Sequence, residues 1–292
     1  MFPVPPFPTF PAGQSTIAVM PLRFEDVTMD GRLIPLAIPP ALAPLWRDVV
    51  VPHAGVRNAL ATGVLPILTR LTLHAEEHRV RADRPGEAFA GFLLAHHGAT
   101  DDDRRLYFNA WAEVRAPAGK LSRHAQAGDL VPVGTLFAEH TFTRPMGPPD
   151  QRRVSRLAVE GYPEIPEAYY DAPPPRSAGD MPPGARWLDE LAADSADYVF
   201  TLDQTDSNQH VNSLVYVRVF LDAVNRRLAA AGRPLRVRSR AIDIAYRKPS
   251  FAGDRARAHL RLFEHDGGLG AAGYITGSDD KPRCYVRALV AP

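Results

Sequence analysis

Proline decides where this chain can build regular structure. Between residues 146 and 186 it recurs so often, as in Pro173-Pro174-Pro175 and Pro182-Pro183, that neither a helix nor a central strand can pass through. Each proline removes a backbone N–H and fixes φ. The stretch reads as a linker, with room for one helical turn at Ile165 to Tyr170. The chain holds 29 prolines in 292 residues, about twice average usage. Their other concentration is the start of the chain, where residues 1–20 read as an extended arm that packs across a domain or hangs loose. Two segments remain, 1–145 and 187–292, and a chain of this length is expected to hold two modules.

Both segments follow one order. Phe24 lies six residues before Asp30 and Phe200 six before Asp206. Strand-like patterns at Leu22 to Val27 and Tyr198 to Leu202 are each followed by an apolar helical stripe. The first stripe is Val56, Leu60, Val64, Ile67 and Leu71, disturbed late by Pro66. The second is Val211, Leu214, Val215, Leu221, Val224 and Leu228, ending at Ala231 before Gly232 and Pro234. Alternating strands come next. In the first segment they lie near Arg70 to Val80, Ala88 to Ala95, Arg105 to Val114 and Thr135 to Thr143, punctuated by Pro85-Gly86 and Asp101-Asp102-Asp103. In the second they lie at Arg236 to Arg247 and Arg255 to Leu262. The expected class is α+β, with an antiparallel sheet and one long helix in each module.

Lys+Arg and Asp+Glu nearly cancel at a net charge of +1, which provides no field for a dedicated nucleic-acid binder. The lone Cys284 excludes an intramolecular disulfide. Met1-Phe2-Pro3-Val4-Pro5-Pro6 lacks the basic start and apolar core of a signal peptide, and no apolar run approaches membrane-spanning length. A cytoplasmic protein without membrane or nucleic-acid partners is expected.

The chemistry concentrates at Asp206-Ser207-Asn208-Gln209-His210-Val211-Asn212, where a carboxylate, an amide and an imidazole alternate just ahead of the second helix. Capping explains part of this: Asp206, Ser207 and Asn208 are good N-cap residues, and Asp206 with Gln209 has capping-box spacing. Capping does not call for a His followed by Val-Asn. His210 is expected in the first helical turn, where the dipole favours a neutral ring able to act as a base.

Asp-x-Asn-x-His-Val-Asn before an aromatic-containing helix resembles the catalytic segment of hotdog-fold acyl thioesterases, especially the plant-type acyl-acyl-carrier-protein thioesterases. The resemblance is specific over about 195–292 and architectural over 20–145. It implies a double hotdog, in which each curved sheet wraps a helix and the two sheets pair edge to edge. It also implies hydrolysis of an acyl-CoA or acyl-carrier-protein thioester to the free acid, with no cofactor and no metal. Asp206 or His210 would be base or nucleophile, Asn208 would position water or the carbonyl, and N–H groups at the helix start would hold the oxyanion. Asn212, Tyr216, Arg247, Lys248 and Ser250 are candidates for binding substrate, and Leu60 of the first module for bounding the acyl chain; a homodimer is compatible with all of this. Related plant enzymes carry an acid and a thiol after a Tyr-Arg-Arg-like segment, but here Tyr246-Arg247-Lys248 is followed by Pro249 and Ser250.

Two other function classes stay open. A double hotdog can be a dehydratase of 3-hydroxyacyl thioesters, although no His-x-x-x-Gly-x-x-x-x-Pro pattern lies near His53, or a non-catalytic acyl-binding protein. The basic row Arg255, Arg257, His259 and Arg261 reads either as a solvated sheet face or as a docking surface for a carrier protein or for CoA phosphates. His74-Ala75-Glu76-Glu77-His78 has zinc-peptidase spacing but sits in a strand pattern, where its imidazoles lie about 13 Å apart. His96-His97 before Gly98 reads as turn chemistry. His53 precedes the first helix as His210 precedes the second, but the first module lacks the motif: Asp30-Gly31-Arg32-Leu33 offers only the acid.

Overall fold

The computed structural model describes residues 4–119 and 128–291; Met1, Phe2 and Pro3 of the expected arm lie outside the described residues. The chain forms two compact units, one ending at Ala172 and the other beginning at Pro173.

The first unit is a five-stranded antiparallel sheet of β1 (Ser15–Met20), β2 (Leu65–Ala75), β3 (Gly86–His97), β4 (Arg105–Pro117) and β5 (Leu130–Thr143), in the order β1-β3-β4-β5-β2. β1 comes from the proline-rich arm, which packs: Phe7 and Phe10 lie 6.1 and 5.8 Å from Phe89, and Phe10 lies 6.0 Å from Trp111. The expected strand at Leu22 to Val27 is instead a 3-10 turn at Phe24–Asp26, with Asp26 accepting from the backbone and guanidinium of Arg23.

No single long helix covers this sheet. The other face carries a broken helical run. It comprises 3-10 turns at Pro35–Ala37 and Pro39–Leu42, a short α1 (Ala43–Leu45) continuing into a π-helical Trp46–Val50, and α2 (Ala54–Ala61). Proline sets the breaks. Pro35, Pro39, Pro40 and Pro44 open turns, where a missing N–H costs nothing, and Pro52 follows the π segment. α2 is capped by His53, whose Nδ1 accepts from Gly55 N at 3.1 Å, and it ends at Gly63 with φ +74°. Val64, Ile67 and Leu71 therefore lie beyond it, in or beside β2. Val64 precedes the strand, Ile67 is exposed on it and Leu71 is buried, so their helical spacing marks no common face. Trp46 packs 5.1 Å from Phe108, which stacks on Phe92 at 4.5 Å.

Residues 146–172 pack on this unit, burying Val154 and Leu157. At Ile165 to Tyr170 there is no helical turn but the two-residue β6 (Ala168–Tyr169), parallel to β3. Pro163 and Pro166 deny a helix its donors, and the β3 edge supplies the bond Tyr170 N to His96 O at 2.8 Å.

In the second unit β10 (Arg238–Tyr246), β11 (Arg255–His265), β12 (Gly268–Gly277) and β13 (Pro282–Ala291) form an antiparallel sheet in the order β10-β13-β12-β11. Three two-residue strands, β7 (Arg186–Trp187), β8 (Ala192–Ala193) and β9 (Tyr198–Val199), cap the outer edge of β11. α3 (Ser213–Ala230) lies on one face, burying Val215, Val219, Phe220, Ala223, Val224 and Leu228. The Tyr246 hydroxyl donates to Ser213 O at 3.1 Å, and the small Ala256 and Ala258 of β11 are buried. Each buried large aliphatic or aromatic side chain on α3 contributes about 1.5–3 kcal/mol. Gly232, at φ +62°, ends α3.

Candidate active site

Asp206 to His210 form a tight loop, not the first turn of a helix. A 3-10 turn at Leu202–Gln204, closed by the Thr201/Gln204 capping box, leads into a bridge between Thr205 and Val211. Inside the bridge Asp206 N donates to His210 O at 2.8 Å and Gln209 N to Asp206 O at 2.9 Å. Asp206 Oδ1 accepts from Asn208 N at 2.8 Å and His210 N at 3.2 Å. Gln209, at φ +64°, makes the left-handed step that returns the chain, and so takes no part in a capping box. The N-cap is Asn212, whose Oδ1 accepts from Leu214 N at 3.0 Å. His210 is thus three residues ahead of the first helical residue, beyond the last-turn reach of the dipole.

The loop presents Asp206 and Asn208 to solvent, with His210 half-buried and its ring edge-on to Phe251 at 5.3 Å. It is pinned from below: Val211 N donates to Ser250 O and Ser250 N to the Tyr216 hydroxyl, both at 2.8 Å. Tyr216 is buried, and desolvation raises its pKa. Its hydroxyl, like the side chain of Asn212, is engaged in holding the site. Ser250 is buried too, with Oγ lacking a partner. Arg247 and Lys248 are exposed, Lys248 lying 3.7 Å from Asp279. Cys284, which sequence reasoning gave no role, sits under Tyr216 and Tyr246; burial pushes its thiol well above the usual range and keeps it protonated.

Among the described residues most of the backbone donors around the loop are already used, though Ser207 N and Ser213 N are not. The N–H groups of Asn208, Gln209, His210, Val211, Asn212 and Leu214 all donate within the protein. The Asn208 side-chain amide is one donor the loop presents outward.

The first unit contains the same loop with other residues. Its 3-10 turn leads to a Val27–Leu33 bridge enclosing Thr28 N to Arg32 O at 2.8 Å, Gly31 N to Thr28 O at 2.8 Å, and Arg32 N to Thr28 Oγ1 at 3.1 Å. Gly31, at φ +83°, takes the place of Gln209. Thr28, Asp30 and Arg32 therefore stand where Asp206, Asn208 and His210 stand. The sequence register that equated Asp30 with Asp206 is two residues off, and His53 is a helix cap. Arg32 is paired with Asp30 and Glu77, leaving neither acid nor imidazole free.

The other motifs resolve structurally. His74 pairs with Glu76 at 3.2 Å, while His78 binds Pro132 O; among the described residues no three His, Cys, Asp or Glu gather as a metal site would need. His96 and His97 hold the 166–170 segment through Pro166 O and Tyr170 O. The β11 row is no continuous basic face, because Arg257 pairs with Asp197 at 2.5 Å and Arg261 lies 3.5 Å over Trp187. No helix among the described residues is long and apolar enough to cross a membrane.

No protein-family model and no curated protein sequence matches the chain. Solved structures do. A protein described as an oleoyl thioesterase from Lactobacillus plantarum matches at TM-score 0.64 and 14% identity, over 97% of both chains. An acyl-ACP thioesterase from Bacteroides thetaiotaomicron matches at 0.60 and 14%, over 95% of this chain and 98% of that one. The 12:0-ACP thioesterase from Umbellularia californica matches at 0.57 and 14%, over 95% and 97%. The fold is that of the acyl-ACP thioesterases. It is a hotdog-like fold, and this thioesterase-like chain carries its one loop with carboxylate, amide and imidazole just ahead of α3.

Proposed function

We propose that the chain is an acyl thioesterase, hydrolysing an acyl-CoA or acyl-carrier-protein thioester to the free acid. One observation carries the reading: Asp206, Asn208 and His210 project from a single hydrogen-bonded loop, at the head of α3, in a fold shared with acyl-ACP thioesterases. Hydrolysis needs a base for the attacking water and a donor for the carbonyl oxygen as it gains charge. Asp206 Oδ1 is oriented by two N–H groups, so Oδ2 is left to take a proton from water. His210, steadied by Phe251, relays that proton to the departing thiolate, and Asn208 Nδ2 holds the oxyanion. No step needs the acid and thiol that Pro249 and Ser250 replace. The same turn-and-bridge loop in both units supports a double hotdog whose first module lost this chemistry.

Purified protein offered acyl-CoAs and acyl carrier proteins of several chain lengths, with free thiol release followed, tests the reading. Turnover on at least one carrier is expected. Acyl binding without thiol release would make it a binding protein, and release of water from 3-hydroxyacyl thioesters would make it a dehydratase.

A further inference from the structure

The second unit has a cleft of about 420 Å³ on the sheet face opposite α3, and the thioesterase reading does not use it. It lies between β11–β13 and the segment crossing over them from Pro175 to Leu191. The crossing is close: a Cβ on Gly179 would stand 2.8 Å from Gly273 O, and Arg287 donates to Asp180 O at 3.4 Å. Beside that contact Ala272 and Gly273 leave the floor bare, and the rings of Tyr274 and Tyr285 rise as a wall. Tyr274 is held from behind by His259, stacked at 4.8 Å.

Two cations face the cleft, Arg176 from the crossing segment and Arg261 from β11. Among the described residues neither guanidinium is in an ion pair, whereas Arg186, Arg226, Arg227, Arg257, Arg283 and Arg287 of this unit are. Arg261 is also held flat on Trp187, so its donors are positioned before any ligand arrives. The hydroxyls of Tyr274 and Tyr285 have no hydrogen-bond partner among the described residues, and each can donate to an anion. Two carboxylates, Asp180 and Asp280, share the lining, and Asp280 acts on Arg257 and His259. They disfavour a bare anion. A ligand that carries hydroxyls beside its anionic group would satisfy both sets, the arginines taking the anion bidentately and the carboxylates accepting from the hydroxyls. The volume is of the size that takes a small organic ligand.

We infer that this cleft binds a nucleoside phosphate: phosphate between Arg176 and Arg261, sugar hydroxyls on Asp180, and base against Tyr274 and Tyr285. The ligand's source is a free nucleotide or the nucleotide end of a coenzyme A ester. The inference does not depend on the thioesterase reading, since its test measures binding.

Titration calorimetry of the full chain with AMP, inorganic phosphate and adenosine decides it. AMP is expected to bind at least about tenfold more tightly than either fragment, and Arg176→Ala to weaken it about tenfold or more, as loss of a charge-assisted contact does. Arg176 is exposed, so that variant should fold; Tyr285→Phe, which deletes one hydroxyl, is the second probe and should weaken AMP by a smaller factor. Displacement of AMP by coenzyme A would assign the nucleotide to CoA esters, and failure to displace would assign it to free nucleotides. Three results would each overturn the inference: no AMP binding, phosphate binding as tightly as AMP, or AMP affinity unchanged in both variants.

Discussion

Asp206 holds the loop from which it would act, so its two roles must be separated by the choice of substitution. Asp206→Asn keeps an oxygen to accept from Asn208 N and His210 N and removes only the charge; Asp206→Ala removes both. Asp206→Asn and His210→Ala are each expected to lower thioester turnover by roughly 10²-fold or more with the melting temperature little changed, as for a positioned acid–base group. Folded variants with wild-type rates would rule the loop out. Tyr216→Phe is expected to lower kcat with little change in KM, because it strands the Ser250 N–H whose neighbouring carbonyl pins Val211, next to His210. A second imidazole sets pH dependence in the first unit. His140 is fully enclosed by Phe108 and Trp46, and desolvation lowers its pKa to about 4. The unfolded chain then binds the extra proton between pH 6.5 and 4, so stability falls as pH falls through that window, by about 3 kcal/mol in all. Denaturant unfolding across the window should show this slope, and His140→Leu should flatten it. The candidates Asp206, Asn208 and His210 stand out in the sequence because their residue types alternate beside a helix. The structural use of Tyr216 does not show in the sequence, because its hydroxyl accepts from Ser250 N, 34 positions away, where no local pattern reveals it.

α3 illustrates what periodicity reads well and where it overreaches. Its apolar stripe and its stop at Gly232 were legible, but the stripe ran back to Val211, the bridge residue just before the N-cap Asn212. An extended Thr205–Val211 bridge and a helical turn both bury Val211, so burial alone cannot place the boundary. In the first unit the same logic merged α2 with β2, since Val56, Leu60 and Val64 continue at helical spacing into a strand that Gly63 and Pro66 have already separated from the helix. β11 was read near its observed place because it alternates on a sheet with one face buried, while β3, β4 and β5 were found from their turn-bounded apolar runs although long stretches of them are buried on both faces. Two changes test how α3 is held. Asn212→Ala should cost about 1 kcal/mol by removing the cap on Leu214 N. Phe220→Ala, at a fully buried position, should cost about 3–5 kcal/mol. If equilibrium unfolding gave the cap the larger effect, the loop would be the chief anchor of the helix.

Among the described residues one loop design occurs in both units, and only the second carries a carboxylate, an amide and an imidazole together. The paired hydrogen bonds of Thr28–Arg32 and Asp206–His210 show that the backbone needs only an acceptor at the first position and a left-handed residue at the fourth. The side chains at the third and fifth positions are free to vary, which is why the first unit can keep the loop with Asp30 and Arg32 and lack the base. The first unit has an apolar pocket of only about 10 Å³, lined by Val50, Val56, Leu60, Phe108, Phe142 and Tyr162, which a shorter side chain would have to enlarge before it could take an acyl tail. Leu60 is 46% exposed there, while Val56 is buried, so Leu60 can be shortened without opening the core. Leu60→Ala deepens the pocket by three carbons. If the pocket receives the acyl tail, kcat/KM should move towards longer chains by about tenfold or more, since a methylene in an apolar pocket is worth about 1–3 kcal/mol. Thiol release from a series of saturated acyl thioesters, compared with wild type, reads this directly. A folded variant with an unchanged chain-length profile would mean that length is selected by the second unit, where Phe251, 48% exposed beside His210, becomes the residue to change next.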